Sequence, residues 1–262
     1  MRLISVFLIF FVCIFFNSST LAISNVEADK PRLPDEGFSG ALGLSVEGKK
    51  GNQQKQAYTG GGRLNYRNED TILLLLLAQD YGETNHVRDD RSQFAHIRWT
   101  NLVSEKLATE VFGQWESEEF DYLKSRELAG AGLRYFIGYK PDIYLCALGL
   151  GAFKEHEIND LITYSDVQDL WRMNAYYSLK LQMNAQLTLV NTIYAQPNLD
   201  EFSDYRILFD LTLSTKVTDH LAFNLSYRLR HDSQPAQNLE ATPPIINHAS
   251  NTEYKSGLTY SF

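Results

Sequence analysis

Polar and apolar residues alternate along most of this chain with a period of two, the repeat of a β-strand whose two faces meet different surroundings. From Gly37 to Gly48, Phe38, Gly40, Leu42, Leu44 and Val46 share one face, with Ser39, Ser45 and Glu47 on the other. From Lys55 to Arg67, Tyr58, Leu64 and Tyr66 oppose Lys55, Thr59, Arg63, Asn65 and Arg67. Ala95, Ile97 and Trp99 oppose His96, Arg98 and Thr100, and Val111 and Trp115 oppose Glu110, Gln114 and Glu116. The later segments repeat the rule: Trp171 to Leu179 against Arg172, Asn174, Ser178 and Lys180; Leu187, Leu189 and Ile193 against Gln186, Thr188 and Thr192. Tyr205 to Leu213 alternates with Arg206, Asp210, Thr212, Ser214 and Lys216, and Leu221 to Leu229 with Asn224, Ser226, Arg228 and Arg230. A soluble β-sandwich also alternates, but with shorter and fewer strands and less Arg and Lys on its covered face. The pattern predicts an all-β chain, an antiparallel transmembrane β-barrel with one face toward lipid and one toward the interior.

Two segments depart from it. Ile72–Ala78 and Tyr144–Ala152 are apolar on both faces; in a barrel they imply a partly packed interior, and the first fits a short buried helix as well. Short turns are expected at 68–70, 103–106, 139–142, 182–185 and 218–220. Longer links are expected at 48–54, 82–91, 117–124, 155–169, 197–204 and 232–249. Short periplasmic turns alternating with longer outside loops give about twelve strands and put both termini in the periplasm.

The last segment alternates to the carboxylate, with Tyr254, Leu258, Tyr260 and Phe262 on one face. A terminal aromatic after apolar residues at two-residue steps resembles the sorting signal read by the barrel assembly machinery of the bacterial outer membrane. At the other end, Arg2, an apolar run from Leu3 to Phe16 and the small residues up to Ala22 have the order of a secretory signal peptide. The run is short for a spanning helix. We therefore expect a signal peptide over 1–22, with cleavage after Ala22 or as late as Ala28, a periplasmic lead over 23–36 and a barrel over 37–262.

Asp and Glu number 32 against 24 Lys and Arg, and loss of the signal removes only one base, Arg2, so the mature chain stays acidic. Such a chain would repel the phosphates of nucleic acid, which is not expected as a partner. Of two cysteines only Cys146 remains, which excludes an internal disulfide and a multi-cysteine metal centre. No cofactor is expected.

Gly37–Asn52, Thr59–Arg67, Glu127–Phe136 and Leu145–Glu155, with their glycine-spaced strands, resemble the YdiY-like family, also labelled salt-induced outer membrane protein. The resemblance covers roughly 37 to 262. It implies an outer-membrane location in a Gram-negative cell and a link to salt or osmotic conditions; it carries no catalytic residues.

Function must then be sought in the interior and the loops. Arg63, Arg134, Arg172, Lys180, Arg206, Lys216, Arg228, Arg230 and Lys255 fall on the inward phase, against fewer acids: Glu47, Glu110, Glu116, Asp210 and Glu253. Acids gather instead in the outside links, among them Glu118, Glu119, Asp121, Glu155, Glu157, Asp204 and Asp232. A basic lumen favours anions. The reading is a narrow, weakly anion-selective channel for small anionic solutes. Its alternative is a closed structural barrel, its bases paired with the inward acids, supporting the outer membrane through contacts with lipopolysaccharide and divalent cations at the acidic loops. A membrane-embedded hydrolase is the third reading; the six histidines come with no nucleophile elbow, paired-carboxylate or zinc-protease motif, so no catalytic or metal residues are assigned and no enzyme is expected. Trp99, Trp115, Trp171 and the tyrosines are expected to form interfacial belts.

Overall fold

The computed structural model describes residues 36–50, 54–140 and 143–262. The strands are β1 (Gly37–Lys49), β2 (Lys55–Asn68), β3 (Thr71–Thr84), β4 (Val87–Leu102), β5 (Leu107–Glu118), β6 (Leu123–Lys140) and β7 (Tyr144–Asp160). They continue with β8 (Ser165–Gln182), β9 (Leu187–Pro197), β10 (Tyr205–Lys216), β11 (Leu221–Asp232), β12 (Gln237–Asn238), β13 (Ile245–Ile246) and β14 (Ser250–Ser261). Twelve of them, all but the short β12–β13 hairpin, form one closed antiparallel barrel in which β14 meets β1. Closure pairs the backbone polar groups that lipid cannot. The expected signal peptide, the lead up to 35 and the short turn at 141–142 lie outside the described residues.

Alternation in the sequence becomes the two faces of the wall. Phe38, Tyr66, Leu73, Trp99 and Val111 fall in one register row across five strands, all exposed on the outer surface. Aromatics on that surface form two belts. Near the termini, Phe38 and Tyr66 have ring centroids 4.8 Å apart. Toward the other end, Tyr227 and Tyr254 are 5.1 Å apart and Tyr58 and Tyr81 6.5 Å. Such belts mark the two interfaces of a membrane-spanning barrel.

Both apolar segments are strands, which corrects the helical option for the first. In β3, Leu74 and Leu76 are buried inside against Phe94, while Leu73 and Leu77 face out. In β7, Leu145 and Ala147 pack inside with Phe136 and Ala108, and Leu148 and Leu150 face out. The interior is therefore packed at these levels.

The longer links also need correction, because much of what reads as loop is strand. Within 82–91 only Asn85 and His86 turn, both with positive φ (52° and 64°), the geometry of a two-residue hairpin whose twist matches its strands. Within 155–169, β7 runs to Asp160 and β8 begins at Ser165. These strand ends rise past the lipid, where the outer face needs no apolar residues, so their polar composition mimics a loop. The link between β11 and β14 remains long and folds down as the β12–β13 hairpin. Ala241 and Ile245 bury Leu161, and Asn238 Nδ2 donates to Leu161 O at 2.8 Å.

Candidate functional site: the interior charge cluster

Inward positions of β5 to β10 converge on a buried carboxylate, Glu155 of β7. Its side chain is 0% exposed and accepts from Arg126 of β6, Arg172 of β8 (Nε to Oε1, 3.1 Å) and Arg206 of β10 (Nη1 to Oε1, 2.9 Å). Arg126 also reaches Glu116 at 2.9 Å. Arg172 grips Asp204 with both terminal nitrogens at 3.0 Å. Arg206 extends to Glu157 at 2.9 Å and Asp232 at 2.7 Å. Three arginines thus meet five carboxylates, and every arginine spans more than one strand. Burying ions is costly, and the cost is offset only when each finds several well-placed partners. The fork of a guanidinium makes that possible here.

A second tier lies one step toward the termini. Tyr176 donates to Glu110 Oε2 at 2.5 Å across the interior, and Arg134 Nη1 lies 3.2 Å from the Tyr176 hydroxyl and 3.7 Å from Glu110. Arg98 approaches Glu110 at 3.3 Å. Tyr176 fits only because its cross-strand neighbour is Gly149: a Cβ there would fall 1.9 Å from the ring. Between the tiers Phe112, Leu128 and Phe153 form an apolar plug.

The anticipated lumen residues separate into three groups. Arg134, Arg172 and Arg206 enter the two tiers. Arg63, Arg228, Arg230 and Lys255 line a cavity of about 380 Å³ behind β14, β1, β2 and β3. There Arg228 pairs with Asp210 at 2.7 Å and Lys255 with Glu253 at 2.6 Å. Lys180 points inward from β8, half-buried, whereas Lys216 sits at the periplasmic end, half exposed, paired with Asp219 at 2.8 Å. Among the described residues, carboxylates lie between these bases and pair with them. Glu155, Glu157, Asp204 and Asp232, expected in outside links, are inside the barrel and neutralise the arginines, which corrects the basic excess. Arg126 was not singled out by sequence reasoning. The missed signal is that alternation continues past Ala152, with Phe153, Glu155, Glu157 and Asn159 all on the inward phase.

At the rim, the Glu119–Asp121 turn carries a buried acid. Burial pushes the Asp121 carboxyl up to about 7, against the pull of Arg230, and Asp90 adds to the rise. Nearby, Glu119 is held by Arg88 at 2.5 Å and Arg91 at 3.6 Å. Among the described residues, no group of three or more His, Cys, Asp or Glu is placed to hold a metal. His231 Nδ1 lies 2.8 Å from Ser250 Oγ; the two are opposed in the β11–β14 register, which accounts for their contact. Tyr254, Leu258, Tyr260 and Phe262 all lie exposed on the outer face.

Fold and belts together define an outer-membrane-type β-barrel with a filled interior. By sequence the chain belongs to DUF481, a protein family of unknown function whose model matches residues 42–262, in keeping with the YdiY-like resemblance. No curated protein matches it. Among solved structures the NanC porin is similar over 86% of this chain and 100% of its own, at 8% identity and a TM-score of 0.51. The KdgM porin in complex with disordered oligogalacturonate aligns with 86% of this chain and 99% of its own, at 11% identity and a TM-score of 0.43. At 8% identity the likeness to the NanC porin is one of fold.

Proposed function

We propose that the protein is a closed outer-membrane barrel, sealed along its axis by the Arg126–Arg172–Arg206 cluster around Glu155. The observation that carries this reading is the zero exposure of Glu155, held by three arginines from three strands across the outer part of the passage. Separating those ions to admit a solute would leave buried charge without compensation, which costs several kcal/mol. The barrel's role is then mechanical, a rigid element fixed in the outer membrane by its aromatic belts and lipopolysaccharide contacts. The link to salt that the family resemblance implies fits a barrel that adds no ion leak when external salt is high. Liposome swelling tests it. Vesicles carrying the refolded protein should swell in arabinose no faster than empty vesicles, and fast swelling would refute closure.

A second reading is the narrow anion path. It draws on the bases at the two open ends, Arg63, Arg228 and Lys255 around one cavity and Lys216 beside another at the periplasmic end. On this reading chloride leak through vesicles would be measurable and would fall when Arg172, Arg206 and Arg228 are changed to Gln.

A further inference from the structure

The two strands that close the barrel meet over only part of their length. Their ladder runs from Ala41↔Ser261 to Leu44↔Leu258, although β1 continues to Lys49 against β2 and β14 starts at Ser250 against β11. Among the described residues, Ser45–Lys49 and the facing 253–257 stretch have no ladder partner across this seam. At about 3.3 Å per residue, Ser45–Lys49 flank a slot roughly 17 Å tall. It opens above Leu44 and Leu258, both on the lipid-facing surface, and rises to Tyr254 in the outer aromatic belt. Unpaired backbone at membrane depth is tolerated where it borders a cavity.

Such a cavity lies behind it, the 380 Å³ space already described. Its walls take in Ser45 and Gly257 from the inner face, and Leu44 and Leu258 from the outer face. The space therefore runs through the wall. Small residues keep it open: Gly43, Gly61 and Ala78 form one inward row across β1, β2 and β3, and a Cβ added at Gly257 would meet nothing within 4 Å. Charge at the mouth is uneven. Lys255 is 44% exposed, while the acids it touches, Asp80 at 3.3 Å and Glu253 at 2.6 Å, are 18% and 15% exposed. An ammonium has three donors, and two contacts leave one for a ligand.

We propose that the β1–β14 seam is a lateral portal for a single-chain amphiphile with an anionic head. The head enters the space over the Gly43–Gly61–Ala78 row and meets Lys255 and Arg63, and the alkyl chain leaves between Leu44 and Leu258 into lipid. This goes beyond axial closure and does not depend on it: a barrel blocked along its axis can still exchange molecules sideways.

The test is photolabelling of the full barrel in vesicles with dodecanoate carrying a diazirine beside its carboxylate. The portal predicts adducts on the inward residues Ser45, Gly61 and Ala78. Lys255→Gln, and Gly257→Leu, which fills the space without a backbone clash, should lower them at least several-fold while outer-belt adducts stay constant. Adducts confined to outward residues, or unchanged by Gly257→Leu, would overturn the portal. Equal inward labelling by the same chain with a trimethylammonium head would overturn the anionic assignment. A cysteine pair gives an independent check in a Cys146→Ser background. Ser45→Cys with Gly257→Cys should oxidise far more slowly than Gly43→Cys with Thr259→Cys across the paired part, because a disulfide needs Cα atoms within about 7 Å; equal rates would mean a zipped seam and end the proposal. Failure of either arm leaves axial closure standing, since that is read by solute flux.

Discussion

Single residues decide whether this barrel is open. Glu155 satisfies three arginines at once, so its replacement should cost more than a surface ion pair. We expect Glu155→Gln to lower stability by about 3 kcal/mol, the low end for breaking a buried ionic group, because Arg172 keeps Asp204 and Arg206 keeps Glu157 and Asp232. Urea unfolding from lipid vesicles measures this; a change within 0.5 kcal/mol, about that of an ordinary surface substitution, would remove Glu155 from the centre of the account. Asp121 gives a pH signature at the rim. Its carboxyl is raised to about 7 in the fold, chiefly by burial, so the folded turn binds the proton more tightly than the unfolded chain does. The stabilisation is complete below the ordinary Asp range and is lost as pH rises through about 7. Amide exchange at Tyr122, corrected for its intrinsic pH dependence, should show more opening at pH 8 than at pH 5, and Asp121→Asn should flatten the difference. At this scale the sequence was half legible. The inward bases could be placed by counting twos from an apolar neighbour, whereas Glu155 and Glu157 lie where the outer face has turned polar and the contrast that reveals a strand is gone.

Elements carry the packing that holds those residues in place. β7 and β8 are matched over seventeen register pairs from Tyr144↔Leu181 to Asp160↔Ser165, and Gly149 is the point where the Tyr176 ring must lie flat on the wall. Gly149→Val should displace the ring and break its bond to Glu110. We expect a loss of about 1–3 kcal/mol, typical of overpacking, together with faster tryptic cleavage at Arg134; undiminished stability would show that Tyr176 has another place to go. Strand existence was legible nearly everywhere because lipid on one side and polar interior on the other enforce the period. Strand ends were not, since turns such as Asn85–His86 need only two residues of permissive backbone, and nothing in a run of acids separates an outside loop from a strand standing above the membrane.

For the whole molecule, closure and assembly make separate demands. The exposed row Tyr254, Leu258, Tyr260 and Phe262 fits the resemblance to an assembly signal, and Phe262 also contributes its backbone to the seam, exchanging two hydrogen bonds with Gly40 at 3.1 Å. Phe262→Ser keeps that backbone and removes the aromatic ring. We expect the heat-modifiable, folded form in outer-membrane fractions to fall while refolding into detergent in vitro is little changed; equal loss in both would make the ring a stability element instead. Axial closure is only the alternative reading on charge counts along the strand phases, because the neutralising carboxylates come from strand ends that read as loops. It is tested most directly by single-channel recording of the refolded protein in a planar bilayer under a potassium chloride gradient. The account predicts a folded barrel with no steady current at moderate voltage. A stable current with a reversal potential favouring chloride would contradict it and restore the anion path.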